Sequence, residues 1–378
     1  MQRQRLAVDL LLKLCYETPY PSLAKENEMT IRSRSFAATI IGARLGNLSP
    51  RKTPGQRAFS ILRPLIFLGA LLCGEAYALD TVRVGIPTKS FQHVIYLLAQ
   101  ERQYMQQEGI NLEIVLIAPT TSIQALLTGD LHFTLSGTSA LIANHRAGVP
   151  VKVVLAANHQ VLQWLLAKPG ISDVKALTNK RIATPGLASM STLIVKQILA
   201  KHGLNPNSDV LMIDSAAGAQ LKSVLTGVAD AAILGAEQRY FALDSGLKDL
   251  AFLGREVKNS WGTLATSDRL IKEQPALVRS SLRATLKALR FIRTNREATV
   301  SAMAKFSKVE RDLAGRVYDD LISTFTTDGT VDEETQRNDL AVIRQVIGAA
   351  EPMAISRGYD FSLARAADRE LTQSGWRP

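Results

Sequence analysis

The stretch LTGDLHFTLSGTS at residues 127–139 and the stretch LTGVADAAILG at residues 225–235 open on the same tripeptide and carry a second glycine at the same later position. With an offset of 98, Arg83 falls on Arg181, Pro87 on Pro185, Leu127-Thr128-Gly129 on Leu225-Thr226-Gly227, and Gly137 on Gly235. Helix-stopping glycines recur in any two βα units, so the few identities prove little by themselves. The ungapped register aligns every element of two successive halves, which is the trace a duplicated structural unit leaves.

The halves read alike. TVRVGIPTKS alternates Val82, Val84 and Ile86 and breaks at Pro87, a strand running into a loop. FQHVIYLLAQERQYMQQEG then shows helical spacing and ends at Gly109. NLEIVLIA, LHFTLSG, VKVVLAAN and VLQWLLAKPG are further strands, with SIQALLTGD and TSALIANHRAG as helices between them. The order restarts with KRIATPGLAS, MSTLIVKQILAKHG, DVLMID, AGAQLKSVLTG, ADAAILG and AEQRYFALDSG. Alternation of this kind predicts an α/β class built on parallel sheets wrapped by helices. After WGTLA the chain reads as helix upon helix, with Ser267 or Asp268 as the first cap.

A helical tail after two sheet units implies a chain that leaves one lobe, builds a second and returns. The crossings are expected near 169–173 (PGISD) and 255–262 (REVKNSWG), which gives residues 79–170 as the first part of lobe one, 171–260 as lobe two and 261–378 as the return with its C-terminal helices.

Residues 1–78 stand apart. Basic residues from Arg51, about nine apolar residues from Leu65 to Cys73 and then Ala76-Tyr77-Ala78 have the order of a secretory signal peptide cut after Ala78. Residues 1–50 make an unusually long leader, as an upstream-assigned start would produce. Leu72 before Cys73 argues against a lipid-attachment site. The apolar run is too short to span a bilayer, so a soluble, periplasmic mature chain is expected.

The net charge of +11 falls on removal of that leader: 11 of 45 basic and 5 of 34 acidic residues lie in it, leaving 34 and 29, or +5. The remaining basic residues are interspersed with acids, which excludes the dense basic patches of nucleic-acid binders. Cys15 and Cys73 both precede the cut, so the expected mature chain has no disulfide and no thiolate chemistry. His93, His132, His145, His159 and His202 show no metal-ligand spacing, and no Gly-x-Ser-x-Gly elbow occurs. Neither catalytic residues nor metal ligands nor a cofactor are predicted, and the chain is read as a non-enzyme.

In open α/β sheets ligands gather at the carboxyl ends of the strands, where helix starts present free N–H groups. Four such loops stand out: PTKSF with Lys89, Ser90 and Phe91; SGTS with Gly137, Thr138 and Ser139; PGLASMST with Gly186, Ser189, Met190 and Ser191; and GAEQ with Glu237. Trp261 and Phe91 offer apolar faces for an organic ligand, and Lys89 a charge. Thr138, Ser139, Ser189 and Ser191 also suit helix capping, a role compatible with anion binding. Glu237 does not fit a purely anionic ligand. Facing the cleft, it implies a cationic or amino group on the ligand; facing solvent, it complements a helix dipole.

VRVGIPTKSFQHVIYLLAQERQYMQQEGINLEIVLI, ALLTGDLHFTLSGTSALIANHRAG, DVKALTNKRIATPGLASMSTLIVKQILAKHGLNPNSDVLMI and VLTGVADAAILG together resemble the periplasmic substrate-binding proteins of ABC importers. The branch is that of nitrate, alkanesulfonate, taurine and thiamine-pyrimidine binders, and the likeness spans about residues 82–350. It implies a type II periplasmic-binding-protein fold, two α/β lobes joined by a two-crossing hinge. It further implies a monomer that clamps a small-molecule ligand at these four loops and hands it to an ABC permease in the inner membrane. Gly235-Ala236-Glu237 departs from the last-loop pattern of plain sulfonate binders. Pyrimidine-precursor synthases share the fold, but the cysteine-rich pattern they resemble is missing from the mature chain.

Overall fold

TVRVGI forms most of strand β1 (Asp80–Ile86), an inner strand of the first sheet, its Val82, Val84 and Ile86 buried. The computed structural model describes residues 79–187, 189–215 and 218–378. The expected leader, Cys73 and the cut after Ala78 lie outside the described residues.

Two five-stranded sheets organise the chain. The first contains β1, β2 (Ile110–Leu116), β3 (Phe133–Thr134), β4 (Val151–Asn158) and β10 (Trp261–Ser267), in the order β2-β1-β3-β10-β4. The second contains β5 (Gln163–Ala167), β6 (Lys180–Thr184), β7 (Val210–Asp214), β8 (Ala231–Gly235) and β9 (Lys248–Phe252), in the order β7-β6-β8-β5-β9.

The offset of 98 survives at the level of pairing. Val84 faces Phe133 across β1 and β3, and Ile182 faces Ala231 across β6 and β8. Val82 faces Leu112, and Lys180 faces Val210. Even an irregular detail repeats: the Arg83 N–H donates to His132 Nδ1, and the Arg181 N–H donates to Asp230 Oδ2. The duplicated tripeptide ends a helix each time. The chain reverses after α3 (Pro119–Thr128) at Gly129, φ 89°, and after α6 (Gln220–Leu225) at Gly227, φ 84°, both in the left-handed region that favours glycine.

The sheets are mixed, not parallel as the alternation predicts. β10 runs antiparallel between β3 and β4, and β5 runs antiparallel between β8 and β9. Since β5 already belongs to the second sheet, the first crossing lies at residues 159–162 and not at 169–173, which is a turn within lobe two. The second crossing runs through residues 257–260 between α8 (Leu253–Glu256) and β10. β9 is an unanticipated strand.

Helices cover both sheets. In lobe one these are α1 (Val94–Glu101), α2 (Tyr104–Gln107), α3 and α4 (Gly137–Ala147); in lobe two they are α5 (Met190–Lys201), α6, α7 (Ala236–Asp244) and α8. After β10, Ser267 caps α9 (Asp268–Glu273) by accepting from the Leu270 N–H at 3.2 Å. The long α10 (Pro275–Thr294) then packs on α1, α2 and the last helix. α11 (Arg296–Ser307) lies on α1, α12 (Arg311–Leu321) meets α7 of lobe two, and α13 (Glu333–Ile347) touches both α4 and α5. After one short helix, α14 (Ile355–Gly358), α15 (Ser362–Gln373) is the last helix.

A buried carboxylate fixes the second crossing. Asp339 on α13 accepts from Asn259 Nδ2 (2.8 Å), the Ser260 N–H (3.1 Å), Ser260 Oγ (2.6 Å) and Tyr359 OH (2.7 Å). With no cation beside it, desolvation outweighs these donors and pushes its pKa up to about 6.

Candidate functional site

The carboxyl ends of β1 and β8 meet. The Phe91 N–H, in the loop after β1, donates to Glu237 Oε1 on the first turn of α7 at 3.0 Å, a contact from one lobe to the other. The Phe91 ring itself is 1 % exposed and lies in the core, so the residue faces the crevice through its backbone.

A chain of side chains holds this loop in place. His93, also buried, contacts Thr88 O through Nδ1 at 2.7 Å. A carbonyl only accepts, so Nδ1 carries the proton and Nε2 accepts from Gln92 Nε2 at 3.2 Å. Gln92 Oε1 in turn accepts from Trp261 Nε1 on β10. Burial holds the imidazole neutral, its pKa lowered to about 4, which this arrangement requires. Ser90 Oγ lies 3.2 Å from His93 Nδ1, and Lys89 is exposed.

In the SGTS loop, Gly137 packs so tightly on β10 that a Cβ there would lie 2.0 Å from Thr263 Oγ1. Thr138 and Ser139 are half-buried in the first turn of α4, whose amides lack intrahelical acceptors. Ser136, the N-cap, makes no side-chain cap bond, and its buried Oγ has no partner among the described residues.

In the PGLASMST loop, Gly186 turns at φ 121°. Ser189 Oγ caps α5 by accepting from the Thr192 N–H at 3.2 Å, and it lies 2.9 Å from Thr192 Oγ1. Thr192 Oγ1 donates to Gly186 O at 2.7 Å, so the turn is tied to the helix start. Ser191 donates to Gln163 Oε1 on β5, and Met190 is buried in the core. These side chains are committed to the loop, to β5 and to the core. What the loop offers a ligand is backbone.

Glu237 is the one carboxylate the four loops contribute. Its residue is half-buried, but the carboxyl end lies inside, where desolvation raises its pKa against the stabilising Phe91 N–H and its own N–H. Its Oε2 stands 3.3 Å from where a Cβ on Gly235 would be. Arg239, one turn-fraction further on, is drawn away to Asp249 and Asp320. Trp261 is half-buried and packs against both of the molecule's hydrophobic clusters. Sequence reasoning missed Gln92, His93 and Gln163, whose roles depend on partners brought close only by folding.

Among the described residues no three His, Cys, Asp or Glu side chains gather as metal ligands, and no helix is long and apolar enough to cross a membrane.

Two α/β lobes with antiparallel exchange strands, two crossings and converging strand ends define the type II periplasmic-binding-protein fold. It is shared with the aliphatic sulphonate binding protein SsuA of Escherichia coli (TM-score 0.64, 16% identity, 75% of this chain and 99% of that one). The nitrate-binding protein NrtA of Synechocystis PCC 6803 is similar (0.61, 12%, 78% and 89%), as is the desulfurization enzyme DSZB (0.59, 14%, 77% and 99%). Comparison with curated protein sequences gives no match. The model of the family described as NMT1/THI5 like matches residues 90–299, more than half of the chain, and the chain belongs to that family.

Proposed function

We propose that this chain is the solute-binding component of an ABC importer. It is exported to the periplasm, closes its two lobes on a small organic ligand and presents it to a permease in the inner membrane. The observation that supports this most directly is the Phe91–Glu237 hydrogen bond, which joins lobe one to lobe two at the strand ends where ligands of such sheets collect. Ligand contacts made by both lobes exist only in the closed form, so binding favours closure by that differential free energy. Micromolar capture needs about −8 kcal/mol, which a few charge-assisted bonds to loop amides and modest apolar burial supply.

The fold alone does not separate binding from catalysis, since DSZB is an enzyme. The binding reading rests on Ser189 and Ser191, whose side chains are spent on a helix cap and on Gln163, and on a histidine held neutral by burial.

The test is thermal-shift screening of the fragment starting at Leu79 against sulfonates, nitrate, aromatic acids and aminopyrimidines, followed by solution scattering with any hit. A raised melting temperature with a smaller radius of gyration is expected. Unchanged dimensions with a confirmed ligand, or a turnover product, would favour the enzyme instead. Amino-terminal sequencing of the exported protein checks the cut after Ala78.

A further inference from the structure

The crevice contains a carboxylate without a counter-ion. Glu237 accepts from the Phe91 N–H at 3.0 Å, and among the described residues no Lys, Arg or His forms an ion pair with it. The cations of the Phe91 loop and of its own helix point elsewhere. Lys89 is exposed. Arg239 is held by Asp249 and by Asp320, and it lies over the Trp164 ring, 5.0 Å from its centroid.

An unpaired carboxylate inside a protein is costly, and a cation that reaches it recovers that cost. A simple oxyanion meets the opposite situation. The Phe91 amide is already taken by Glu237, and an oxyanion that displaced it would bring two negative charges together.

We propose that Glu237 determines which solutes this crevice accepts: it pairs with a protonated nitrogen on the ligand and excludes oxyanions that lack one. The inference rests on the crevice being the ligand site. The carboxylate does two things at once. It occupies the Phe91 amide, and among the described residues of the four loops it is the one formal charge directed inward. A zwitterion satisfies both ends, with its nitrogen on Glu237 and its anionic group on the amides that start α4 and α5.

Two measurements test this. In the unaltered protein, taurine and isethionate carry the same sulfonate and differ in an ammonium against a hydroxyl. Calorimetry should show taurine binding at least about tenfold more tightly, the scale of a desolvated charge-assisted pair. Equal binding, weaker taurine binding, or no binding of either overturns the proposal.

The second measurement compares the protein with Glu237→Gln. The glutamine retains an acceptor for the Phe91 N–H and removes the charge, so methanesulfonate affinity should rise about tenfold or more as like-charge repulsion is lost. Methanesulfonate affinity that stays at the starting level, in a variant whose melting temperature shows it folded, overturns the proposal. Should that variant fail to fold, the taurine comparison decides alone. A protein that binds isethionate as well as taurine and still compacts refutes the selectivity and leaves the binding-protein reading standing. One that converts taurine to a product refutes that reading.

Discussion

Asp320 on α12 and Arg239 on α7 are joined across the lobes: Arg239 Nη1 donates to Asp320 Oδ2 at 2.6 Å, and Tyr240 OH donates to the same oxygen at 2.5 Å. Arg316 from the same helix α12 lies 4.0 Å from the Tyr240 ring centroid and 3.7 Å from Asp244. These contacts fasten the tail of the chain to lobe two. Both partners are partly exposed, so Asp320→Ala should remove only about 1 kcal/mol from the closed form, or about fivefold in its population. Scattering should show a larger mean radius in the variant and stopped-flow a faster release of any bound ligand; unchanged values for both would mean the contact persists on opening.

Asp339 makes the second crossing sensitive to pH. Its folded pKa of about 6 exceeds the ordinary 3.8, so its stabilising contribution is full below about 3.8 and is lost as pH rises through about 6. The difference amounts to about 3 kcal/mol. Asp339→Asn should abolish this acid-side gain, seen as a smaller rise, or larger fall, in melting temperature between pH 7 and pH 4.5 than in the unaltered protein.

His93 acts in the opposite sense. Its folded pKa of about 4 lies below the ordinary 6.5, so its contribution is present above 6.5 and lost as pH falls through about 4. Protonation would place an Nε2–H against the Gln92 amide and undo the link to Trp261. His93→Gln should therefore lose less stability than the unaltered protein between pH 6.5 and pH 4, measured by denaturant midpoints.

Gly137→Ala should be among the most damaging single-methyl changes. The added Cβ would meet Thr263 Oγ1 at 2.0 Å, Thr263 Cβ at 2.7 Å and the Thr263 carbonyl at 3.1 Å, so trimming the Thr263 side chain relieves only part of the clash. A loss of about 2–3 kcal/mol is expected from chemical unfolding.

Ser189→Ala removes the α5 cap and should cost about 1 kcal/mol. Ser189→Asp keeps a cap acceptor, so stability should hold while any anion-induced melting shift disappears. Full retention of that shift would place the loop outside the ligand site.

Much of this architecture was legible in residue order because register is written locally. A threonine-glycine pair that ends a helix, and an arginine whose amide meets the start of the third strand, recur at fixed spacing. Strand direction is not written that way. The apolar patterns of β5 and β10 are the same whether the strand runs parallel or antiparallel, and β9, Lys248-Asp249-Leu250-Ala251-Phe252, lacks a clean alternation. The first crossing carries neither glycine nor proline, so residue order points to PGISD instead. The candidate loops were visible from their strand ends, yet the Phe91–Glu237 pair spans 146 residues and depends on tertiary geometry alone.

The placement of β5 and β10 has a consequence for how such a molecule can exist at all. Each follows the fourth strand of its own repeat and then inserts into the sheet of the other, so the halves trade their last strands reciprocally. A lone half would display an open slot in its sheet and an orphan strand to fill someone else's, and two such halves would assemble by swapping. The two linkers between the lobes are the connections that swap demands, and the closure proposed above would use a pair of strands that the trade already requires.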